Sequence, residues 1–382
     1  MEQTSRRAVI IGASYAGLVA AVALKCNNWS VRIIEKSTER SRSGGGVVVQ
    51  PRMLEYLKQH GVAFPGVASI PAKTRKIYHH DGSVMQMPET AAAYTSWDVL
   101  LRELENVVGP ATIERGLALE DIPDWGAHGV VELSDGTTDQ GEVVIAADGI
   151  GSLTRRLLLP GIGPRYAGYV AWRGMVDESE LSRETVEWFT DTLSSYQGTD
   201  TTILLYEVPG GIGELERGNR RINWVWYENV PAGPDLSRLM TDSAGYEHRS
   251  TVARNEMTQD TRKYMEHRAK TSLEPHFAEV VLQTPEPFVQ KIEDLTIPRL
   301  VFGRVVLIGD AASLIRPHIG SGTAKAVDDA IHLATALSSP CDEEMACLAA
   351  WEHTRLNDHF GLSEYAKAIA RRLGLGGPDT DR

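Results

Sequence analysis

The chain has 382 residues, with 39 Lys and Arg against 51 Asp and Glu, which gives a net charge of −12 at pH 7. This acidity argues against nucleic acid as a partner, because phosphates are neutralised by a basic face. Hydrophobic residues make up 42 % of the chain and charged residues 24 %, which excludes a disordered protein. At this length we expect two domains, or one large domain with an inserted module.

The N-terminus and the cysteines bear on the compartment. Arg6 and Arg7 precede the apolar run 8–24, as in an export signal. The run is too short to span a bilayer, and its pattern favours a strand, a glycine turn and a helix. The three cysteines form neither a CxxC pair nor a plausible disulfide framework. We therefore expect a cytoplasmic protein with no membrane partner and no metal site.

A strand, turn, helix, strand order opens the chain, which is the order of a dinucleotide-binding β-α-β unit. The alternative for this motif taken alone is a generic α/β turn. The predicted elements cover residues 8–11, 12–17, 18–25 and 31–34.

Four residues of this unit have separate physical roles. Gly12 permits the sharp turn, and Gly17 lets the helix pack closely on the strand. The helix N-terminus presents N–H groups to a pyrophosphate, and Glu35 can accept hydrogen bonds from ribose hydroxyls. Ser14 stands where the pattern has its middle glycine, so its Cβ narrows the space for the pyrophosphate.

Short strands and helices continue to about residue 165, after which the pattern becomes rich in β-strands. Period-2 alternation with several aromatic residues indicates a sheet with one face over a pocket. The predicted elements are a strand at 47–49, a helix at 52–60, a hairpin at 74–87, a helix at 99–108, a hairpin-like pair at 130–133 and 142–146, and sheet strands at 169–173, 202–206 and 222–227.

The strand at 305–308 returns to the glycine-rich style of the N-terminus, and 343–373 predicts a C-terminal helix before a frayed tail. The fold class is therefore α/β (α+β), a Rossmann-type dinucleotide domain interrupted by a mostly antiparallel sheet. We expect the dinucleotide domain at 1–72, 96–165 and 288–340, the substrate domain at 73–95 and 166–287, and a helical segment and tail at 341–382.

Two further glycine-containing motifs lie far downstream of the first. Asp148-Gly149 is followed by Arg155, and Gly309-Asp310 by Pro317-His318. Together with the N-terminal turn, they resemble the FAD-dependent aromatic-ring hydroxylases, the single-component monooxygenases typified by p-hydroxybenzoate hydroxylase. The resemblance covers essentially the whole chain and implies that fold, with FAD as cofactor and NADH or NADPH as electron donor.

The resemblance also implies which residues hold FAD. Asp148 and Arg155 match the motif that serves the pyrophosphate and the pyridine nucleotide, and Asp310 matches the acidic residue that binds the ribitol or ribose. Because glycine has no Cβ, a backbone with glycine can approach the flavin ring closely. The expected cofactor-binding residues are Gly12, Ser14, Gly17, Glu35, Asp148, Arg155, Arg221, Asp310, Pro317, Gly320 and Gly322.

Tyr206, His318 and Asn223 are the expected polar residues at the substrate. Hydroxylation requires an electron-rich ring, and a His or Tyr at hydrogen-bond distance suits removal of a ring hydroxyl proton. A structural role as satisfied buried polar groups is the alternative for Tyr206 and His318. Trp224 and Trp226 alternate with Asn223, so we expect them to pack on the opposite face.

The substrate expected from the resemblance is a small aromatic or heteroaromatic ring, with O₂ as co-substrate. Shared-looking stretches at 47–51, 166–174, 233–242 and 303–312 indicate the hydroxypyridine hydroxylases within the family. We expect 2,6-dihydroxypyridine to be hydroxylated at C3 to 2,3,6-trihydroxypyridine. Another hydroxypyridine or phenol, such as a 6-hydroxynicotinate-like compound, is the alternative. The resemblance also suggests a homodimer.

Three other function classes are less favoured. A flavin-dependent halogenase is suggested by Trp224-Val225-Trp226, but the spacing to the following proline differs. A flavin-binding scaffold without catalytic activity would carry the same FAD motifs. A Ser-His-Asp hydrolase is disfavoured because the chain has no G-x-S-x-G elbow.

Overall fold

The computed structural model describes residues 6–39, 44–62, 66–88, 92–199, 201–340 and 343–376. Residues 41–43, Cys341 and residues 377–382 of the predicted tail lie outside this range.

The strands are β1 (Arg7–Ile11), β2 (Ser30–Glu35), β3 (Gly46–Val48), β4 (Ile70–Pro71), β5 (Thr74–His79), β6 (Val84–Pro88), β7 (Ala93–Ser96), β8 (Ile113–Arg115), β9 (Leu119–Asp124), β10 (Gly129–Leu133), β11 (Thr138–Gly141), β12 (Val143–Ala146), β13 (Arg165–Asp177), β14 (Thr192–Gln197), β15 (Thr201–Val208), β16 (Arg221–Asn229), β17 (Thr251–Val252), β18 (Phe288–Asp294), β19 (Val301–Phe302) and β20 (Val305–Leu307). The helices are α1 (Tyr15–Cys26), α2 (Pro51–Gln59), α3 (Trp97–Val108), α4 (Leu153–Leu158), α5 (Arg183–Phe189), α6 (Pro234–Met240), α7 (Gln259–Ser272), α8 (Pro275–Leu282), α9 (Gly322–Leu337) and α10 (Glu344–Arg372).

A six-stranded sheet in the order β19-β20-β12-β1-β2-β8 forms the first unit. Its strands pair in parallel except for β19, which is antiparallel to β20. Every residue of β12 is buried, as are all but the first residue of β1, because both faces of a parallel sheet are covered. The predicted β-α-β unit is confirmed.

The predicted pairing of residues 130–133 with 142–146 was wrong. Strand β10 pairs instead with β11 and β9 in a three-stranded antiparallel sheet, and β12 lies beside β1. The apolar segment 143–146 is buried on both faces, so it belongs in the parallel sheet rather than in an exposed hairpin.

An eight-stranded sheet in the order β17-β18-β13-β16-β15-β14-β5-β6 forms the second unit. It is antiparallel apart from the parallel pair β14 and β5. Residues 288–294 belong to this sheet as β18, so we place the return to the first unit after Asp294 rather than at 288. Residues 93–96 pair with β3 and β4, outside this sheet.

One face of the eight-stranded sheet is packed against α7 and α8, and we call it the packed face. Trp172, Trp224 and Trp226 are fully buried there, together with Met265 of α7 and Phe277 of α8. The prediction that Trp224 and Trp226 lie opposite Asn223 is confirmed, because Asn223 alternates with them along β16.

The C-terminal helix predicted at 343–373 is confirmed as the 29-residue α10, which packs on α9. Trp351 of α10 donates its indole N–H to the carbonyl of Asp329 on α9. In the described part of the chain, no helix has both the length and the apolar character that crossing a membrane requires.

Candidate active site

The glycine turn between β1 and α1 has the geometry that its sequence predicts. Gly12 has a φ of +103°, and a Cβ there would lie 2.5 Å from the carbonyl oxygen of Ala147. A Cβ at Gly17 would overlap the carbonyl oxygen of Gly12. Ser14 is the exposed N-cap of α1 and makes no capping hydrogen bond with its side chain. The N-terminus of α1 is therefore open and lined by unpaired N–H groups.

Glu35 lies at the end of β2, next to this turn. Its Oε2 accepts a hydrogen bond from the backbone N–H of Ala13 at 2.8 Å, and its Oε1 accepts one from Ser37 at 2.9 Å. A carboxylate oxygen can accept more than one hydrogen bond, so both oxygens can still receive ribose hydroxyls.

The second and third glycine motifs are joined by Arg155. This buried side chain donates to the carbonyl oxygens of Ala311 at 2.9 Å and Ile150 at 2.6 Å. Asp148 accepts hydrogen bonds from Ser152 Oγ at 2.6 Å and from the Thr154 N–H. Arg155 thus links the two loops, and Asp148 stabilises the turn of its own loop.

A buried hydrogen-bond network fixes the turn that carries Asp310. The sequence analysis did not identify this network. Lys325 donates to the carbonyl oxygens of Gly309 at 2.6 Å and Ser313 at 2.9 Å, on either side of the Asp310 turn. Asp329 accepts the Gly309 N–H at 3.1 Å. Burial raises the pKa of Asp329, but His359, Lys325 and Arg355 outweigh it and lower that pKa overall.

Asp310 itself combines exposure with desolvation. Its side chain is exposed to solvent, yet burial raises the pKa of its carboxyl group. Both observations fit a side chain at the bottom of a cleft, where it contacts water but is surrounded by protein. This carboxyl group is positioned to accept hydrogen bonds from a ligand in the cleft.

The other face of the eight-stranded sheet carries the predicted substrate residues, and we call it the pocket face. The register pairs Tyr206 with Asn223 and Ala171 with Tyr227. Since alternate residues of a strand share a face, five polar or aromatic side chains lie on this one. They are Tyr169, Arg173, Tyr206, Asn223 and Tyr227.

The backbone of β3 lies directly against the pocket face. Asn223 Oδ1 accepts the Gly46 N–H at 2.5 Å, and a Cβ on Gly46 would come within 2.6 Å of Tyr206 Cε2. Arg254 donates to the carbonyl oxygen of Gly44 at 2.7 Å. Part of the hydrogen-bonding capacity of Asn223 therefore fixes this backbone segment.

Tyr206 lies on β15, two residues before the strand ends, with its ring 4.2 Å from that of Tyr94. It is 7 % exposed, and burial raises the pKa of its hydroxyl. Within the described part of the chain, this hydroxyl makes no hydrogen bond to protein. Its hydrogen-bonding capacity is therefore free for a ligand.

His318 reaches the pocket face from a short 3₁₀ turn before α9. Its Nε2 lies 2.6 Å from the Tyr169 hydroxyl, and its ring packs edge-on against Tyr227 at 5.1 Å. Burial and the neighbouring charge of Arg316 lower the pKa of His318 to about 3. The imidazole is therefore neutral, and its Nδ1 is buried without a partner among the described residues.

Arg221, which we expected to contact the flavin, makes hydrogen bonds and an ion pair with other residues of the protein. It donates to Ser96 Oγ at 2.8 Å and to the Pro209 carbonyl oxygen at 3.0 Å, and it pairs with Asp98 at 3.3 Å. These contacts hold β16 to the start of α3. Its flavin contact stays a prediction.

Arg173, Tyr169 and Tyr227 complete the pocket face but were not singled out from the sequence. A signal for Arg173 was present, because it is the one charged residue in the interior of β13, between Trp172 and Gly174. The two tyrosines could not be assigned to this face without the register between β13 and β16.

Outside this site, three residues have side chains of the types that bind metal ions. Asp242, His248 and Glu256 bring possible ligand atoms within 4.8 Å of one another, and all are partly buried. Asp242 already accepts hydrogen bonds from His248 at 2.7 Å and from two backbone N–H groups of its loop. These hydrogen bonds explain the three residues as a group that stabilises a loop. The sequence analysis did not identify this group.

The residues around the cleft fit the expected FAD. A Cβ on Gly320 or Gly322 would meet no protein atom within 4 Å, so internal packing does not explain a glycine at 322. Ser321 Oγ between them is buried without a hydrogen-bond partner among the described residues. With the open α1 N-terminus, Glu35 and Asp310, the cleft offers donors for phosphates and acceptors for hydroxyls.

Comparison with known proteins gives a full-length match. The 2,6-dihydroxypyridine 3-monooxygenase of Paenarthrobacter nicotinovorans is 32 % identical over 378 residues, covering 99 % of this chain and 94 % of that protein. The solved structure of 2,6-dihydroxypyridine-3-hydroxylase from Arthrobacter nicotinovorans superposes with a TM-score of 0.90 at 32 % identity, covering 99 % of this chain and 96 % of that one.

A second relative is the 6-hydroxynicotinate 3-monooxygenase of Pseudomonas fluorescens, 27 % identical over 87 % of this chain and 83 % of that protein. A family model described as FAD binding domain-like matches residues 166–294, which span β13 to β18. The predicted cofactor and fold are confirmed. The chain belongs to the FAD-dependent aromatic-ring monooxygenases, which use NAD(P)H as co-substrate.

Proposed function

We propose that this monooxygenase hydroxylates 2,6-dihydroxypyridine at C3 to give 2,3,6-trihydroxypyridine. One oxygen atom of O₂ enters the ring and the other leaves as water, with two electrons supplied by NADH or NADPH. The full-length relative with this activity supports the substrate. The observation that carries the proposal is the pocket face. Among the described residues, His318 Nδ1 is buried there without a partner and the Tyr206 hydroxyl makes no hydrogen bond.

FAD, when bound, accepts electrons from NAD(P)H and activates O₂. We propose that the pyrophosphate lies at the N-terminus of α1, where Gly12 and Ser14 form the turn. Glu35 and Asp310 would accept hydrogen bonds from the ribose and ribitol hydroxyls. Gly320 and Gly322 would let the backbone approach the flavin ring. Lys325 fixes the carbonyl groups on both sides of Asp310, so it positions that carboxyl group.

Three residues are proposed to shape the substrate site. Tyr206 offers a hydroxyl that burial keeps protonated, and His318 offers its Nδ1. Asn223 holds the β3 backbone over the pocket face through Gly46, which helps to exclude water from the reacting ring.

A second substrate class is favoured by one specific observation. Arg173 on the pocket face has no carboxylate partner among the described residues, so it could pair with a substrate carboxylate such as that of 6-hydroxynicotinate. This compound is therefore the first alternative to be tested.

The test is NAD(P)H oxidation by the FAD-loaded protein with and without each compound, with mass analysis of the product. We expect 2,6-dihydroxypyridine to stimulate oxidation and to yield an equal amount of product heavier by one oxygen. Stimulated oxidation that yields only hydrogen peroxide would contradict the proposed reaction. Stimulation by 6-hydroxynicotinate alone would replace the substrate.

We further propose a homodimer, as the resemblance to the family suggests, and a cytoplasmic location, as the cysteines and the N-terminal β-α-β pattern suggest. Light scattering coupled to gel filtration tests the first point, with a mass near twice 41.9 kDa expected. Fractionation of the native cells tests the second.

A further inference from the structure

Arg173 is a cation without a counter-ion in the described part of the chain. It is half-buried on β13, and its Nε is buried without a hydrogen-bond partner. Its guanidinium donates a hydrogen bond to the Tyr227 hydroxyl, and its charge lowers the pKa values of Tyr227 and Tyr206. Burial nevertheless raises both overall and brings the pKa of Tyr227 to about 12. Both neighbours are therefore uncharged at neutral pH.

Two other buried arginines of this protein do have such partners, whereas the buried Arg155 donates to backbone carbonyl oxygens. Arg316 makes a two-pronged ion pair with Asp294, with contacts of 2.6 and 2.9 Å, and Arg355 lies 3.1 Å from Asp329. Burying a charge without a counter-ion is costly, so an unpaired guanidinium calls for an explanation. A negative charge on a ligand would supply the missing partner.

His318 provides a second donor beside Arg173. The Tyr169 oxygen accepts a hydrogen bond from Arg316, so its own proton points to His318 Nε2. Since the neutral imidazole carries one proton, that proton lies on Nδ1, which has no partner among the described residues. Tyr227 contacts the His318 ring at 5.1 Å and lies next to Arg173, so the two donors share one corner of the pocket face.

We propose that Arg173 is a specificity-determining residue that selects the anion of the substrate, with the Nδ1–H of His318 as the second donor to its ionised ring oxygen. The inference rests on the proposed function and deepens it. A ring that arrives already deprotonated is electron-rich, so this corner needs donors rather than a base. The guanidinium compensates the charge and orients the ring by charge-assisted hydrogen bonds.

The experiment measures dissociation constants on the FAD-loaded enzyme at pH 8, from the change in flavin absorbance on titration. The probes are 2,6-dihydroxypyridine and 2,6-diaminopyridine, a ring of similar shape that has no acidic hydroxyl. For Arg173→Met we expect binding of the dihydroxy compound to weaken by about 10- to 100-fold, because a charge-assisted bond is lost. The diamino compound should bind within about twofold of wild type.

Two variants separate charge recognition from folding. Arg173→Lys keeps the charge and should recover part of the affinity for the anion. Lys291→Met removes one positive charge from the neighbouring strand β18, where register places Lys291 opposite Val170 on the packed face, and should change neither dissociation constant.

Each outcome has a definite meaning. Equal losses for both probes in Arg173→Met would assign Arg173 a structural role and overturn the inference. Unchanged binding of 2,6-dihydroxypyridine in Arg173→Met would also overturn it, even if wild-type turnover supports the proposed function. If wild type binds 6-hydroxynicotinate through Arg173 but not 2,6-dihydroxypyridine, the recognised charge is a carboxylate, which contradicts both the ring-oxygen assignment and the proposed substrate.

Discussion

The two faces of the eight-stranded sheet are made by the same strands but differ in how their polar groups are used. On the packed face, Trp172 donates to Glu228 at 2.9 Å and Trp224 donates to Thr284 at 2.8 Å. Trp226 donates to Thr201, and Arg268 pairs with Glu228 at 2.6 Å. On the pocket face, Arg173 Nε and the adjoining His318 Nδ1 are buried without partners among the described residues.

This difference indicates that the packed face contributes mainly to stability and the pocket face mainly to ligand binding. The packed face pairs most of its polar groups within the protein and so leaves little for a ligand, and its mutations should cost stability. A face that retains unpaired donors sacrifices some stability for binding. Mutations on the pocket face should therefore change binding or turnover more than folding.

The largest effect is expected for Trp224→Ala on the packed face. Trp224 is fully buried, so its removal leaves a cavity and should lower the free energy of unfolding by about 3–5 kcal/mol. Urea denaturation measures this loss. Tyr206→Phe on the pocket face is the matched variant, and its stability should stay within about 0.5 kcal/mol while turnover falls at least about tenfold. Equal stability losses in both variants would erase the distinction between the faces.

Gly46→Ala should disturb the pocket face next most strongly. The new Cβ would lie 2.6 Å from Tyr206 Cε2 and 2.8 Å from Asn223 Cγ, so side chains or β3 must shift. We expect a loss of about 1–3 kcal/mol in stability and a higher KM. Gly211→Ala serves as control, since its Cβ would meet no atom within 4 Å. A normal KM for Gly46→Ala would show that β3 does not shape the substrate site.

His318 variants test whether its Nδ1 donates a proton in a hydrogen bond. The amide nitrogen of Asn can take the place of Nδ1, whereas that of Gln reaches towards Nε2. His318→Asn should therefore retain about tenfold higher kcat/KM than His318→Gln. Equal losses in both variants would favour a general base at this position.

The pH dependence provides a separate check on His318. Burial and Arg316 lower its pKa to about 3, so the imidazole is neutral at any pH above that value. The kcat/KM profile between pH 5 and 9 should show no limb that disappears in His318→Asn. A limb near pH 6.5 lost in that variant would contradict a neutral donor.

A smaller effect is expected at a pair of neighbouring buried carboxyl groups on the packed face. Glu207 is buried beside Glu178 and Arg220, and burial raises its pKa to about 7, above its unfolded value of 4.5. A raised pKa stabilises the fold fully below pH 4.5, and this contribution is lost as the pH rises through 7. The free energy of unfolding should therefore fall across this window.

Glu178→Gln should remove part of this fall in the free energy of unfolding at high pH. Glu178 Oε1 is buried without a donor, and an amide there could donate to Glu207 at every pH. We expect about 1 kcal/mol of stabilisation at pH 8 and little change at pH 5, measured by urea denaturation. The same gain at both pH values would contradict the raised pKa of Glu207.

The sequence predicted the first unit better than the second for a physical reason. Gly12, Gly17 and Glu35 act within one β-α-β unit, so their spacing along the chain determines their arrangement. The same holds for Asp310, which directly follows a strand. Motifs of this kind depend on local geometry, and alternation alone placed Trp224 and Trp226 opposite Asn223.

The pocket depends instead on contacts between distant segments. Tyr169 meets His318 across 149 residues, and Asn223 meets Gly46 across 177. Neither pair can be inferred from spacing, because each requires the strand register and the return of the chain after β18. For the same reason residues 142–146 were assigned to a hairpin, since their apolar pattern fits both an antiparallel pair and a buried parallel strand.

The central claim is that this protein inserts one atom of O₂ into a hydroxypyridine ring. The most direct measurement is a reaction of the FAD-loaded enzyme with NAD(P)H and 2,6-dihydroxypyridine under ¹⁸O₂, followed by mass spectrometry. We predict trihydroxypyridine that carries one ¹⁸O atom, in an amount equal to the NAD(P)H consumed. An unlabelled product, or NAD(P)H oxidation that ends only in hydrogen peroxide, would contradict the account.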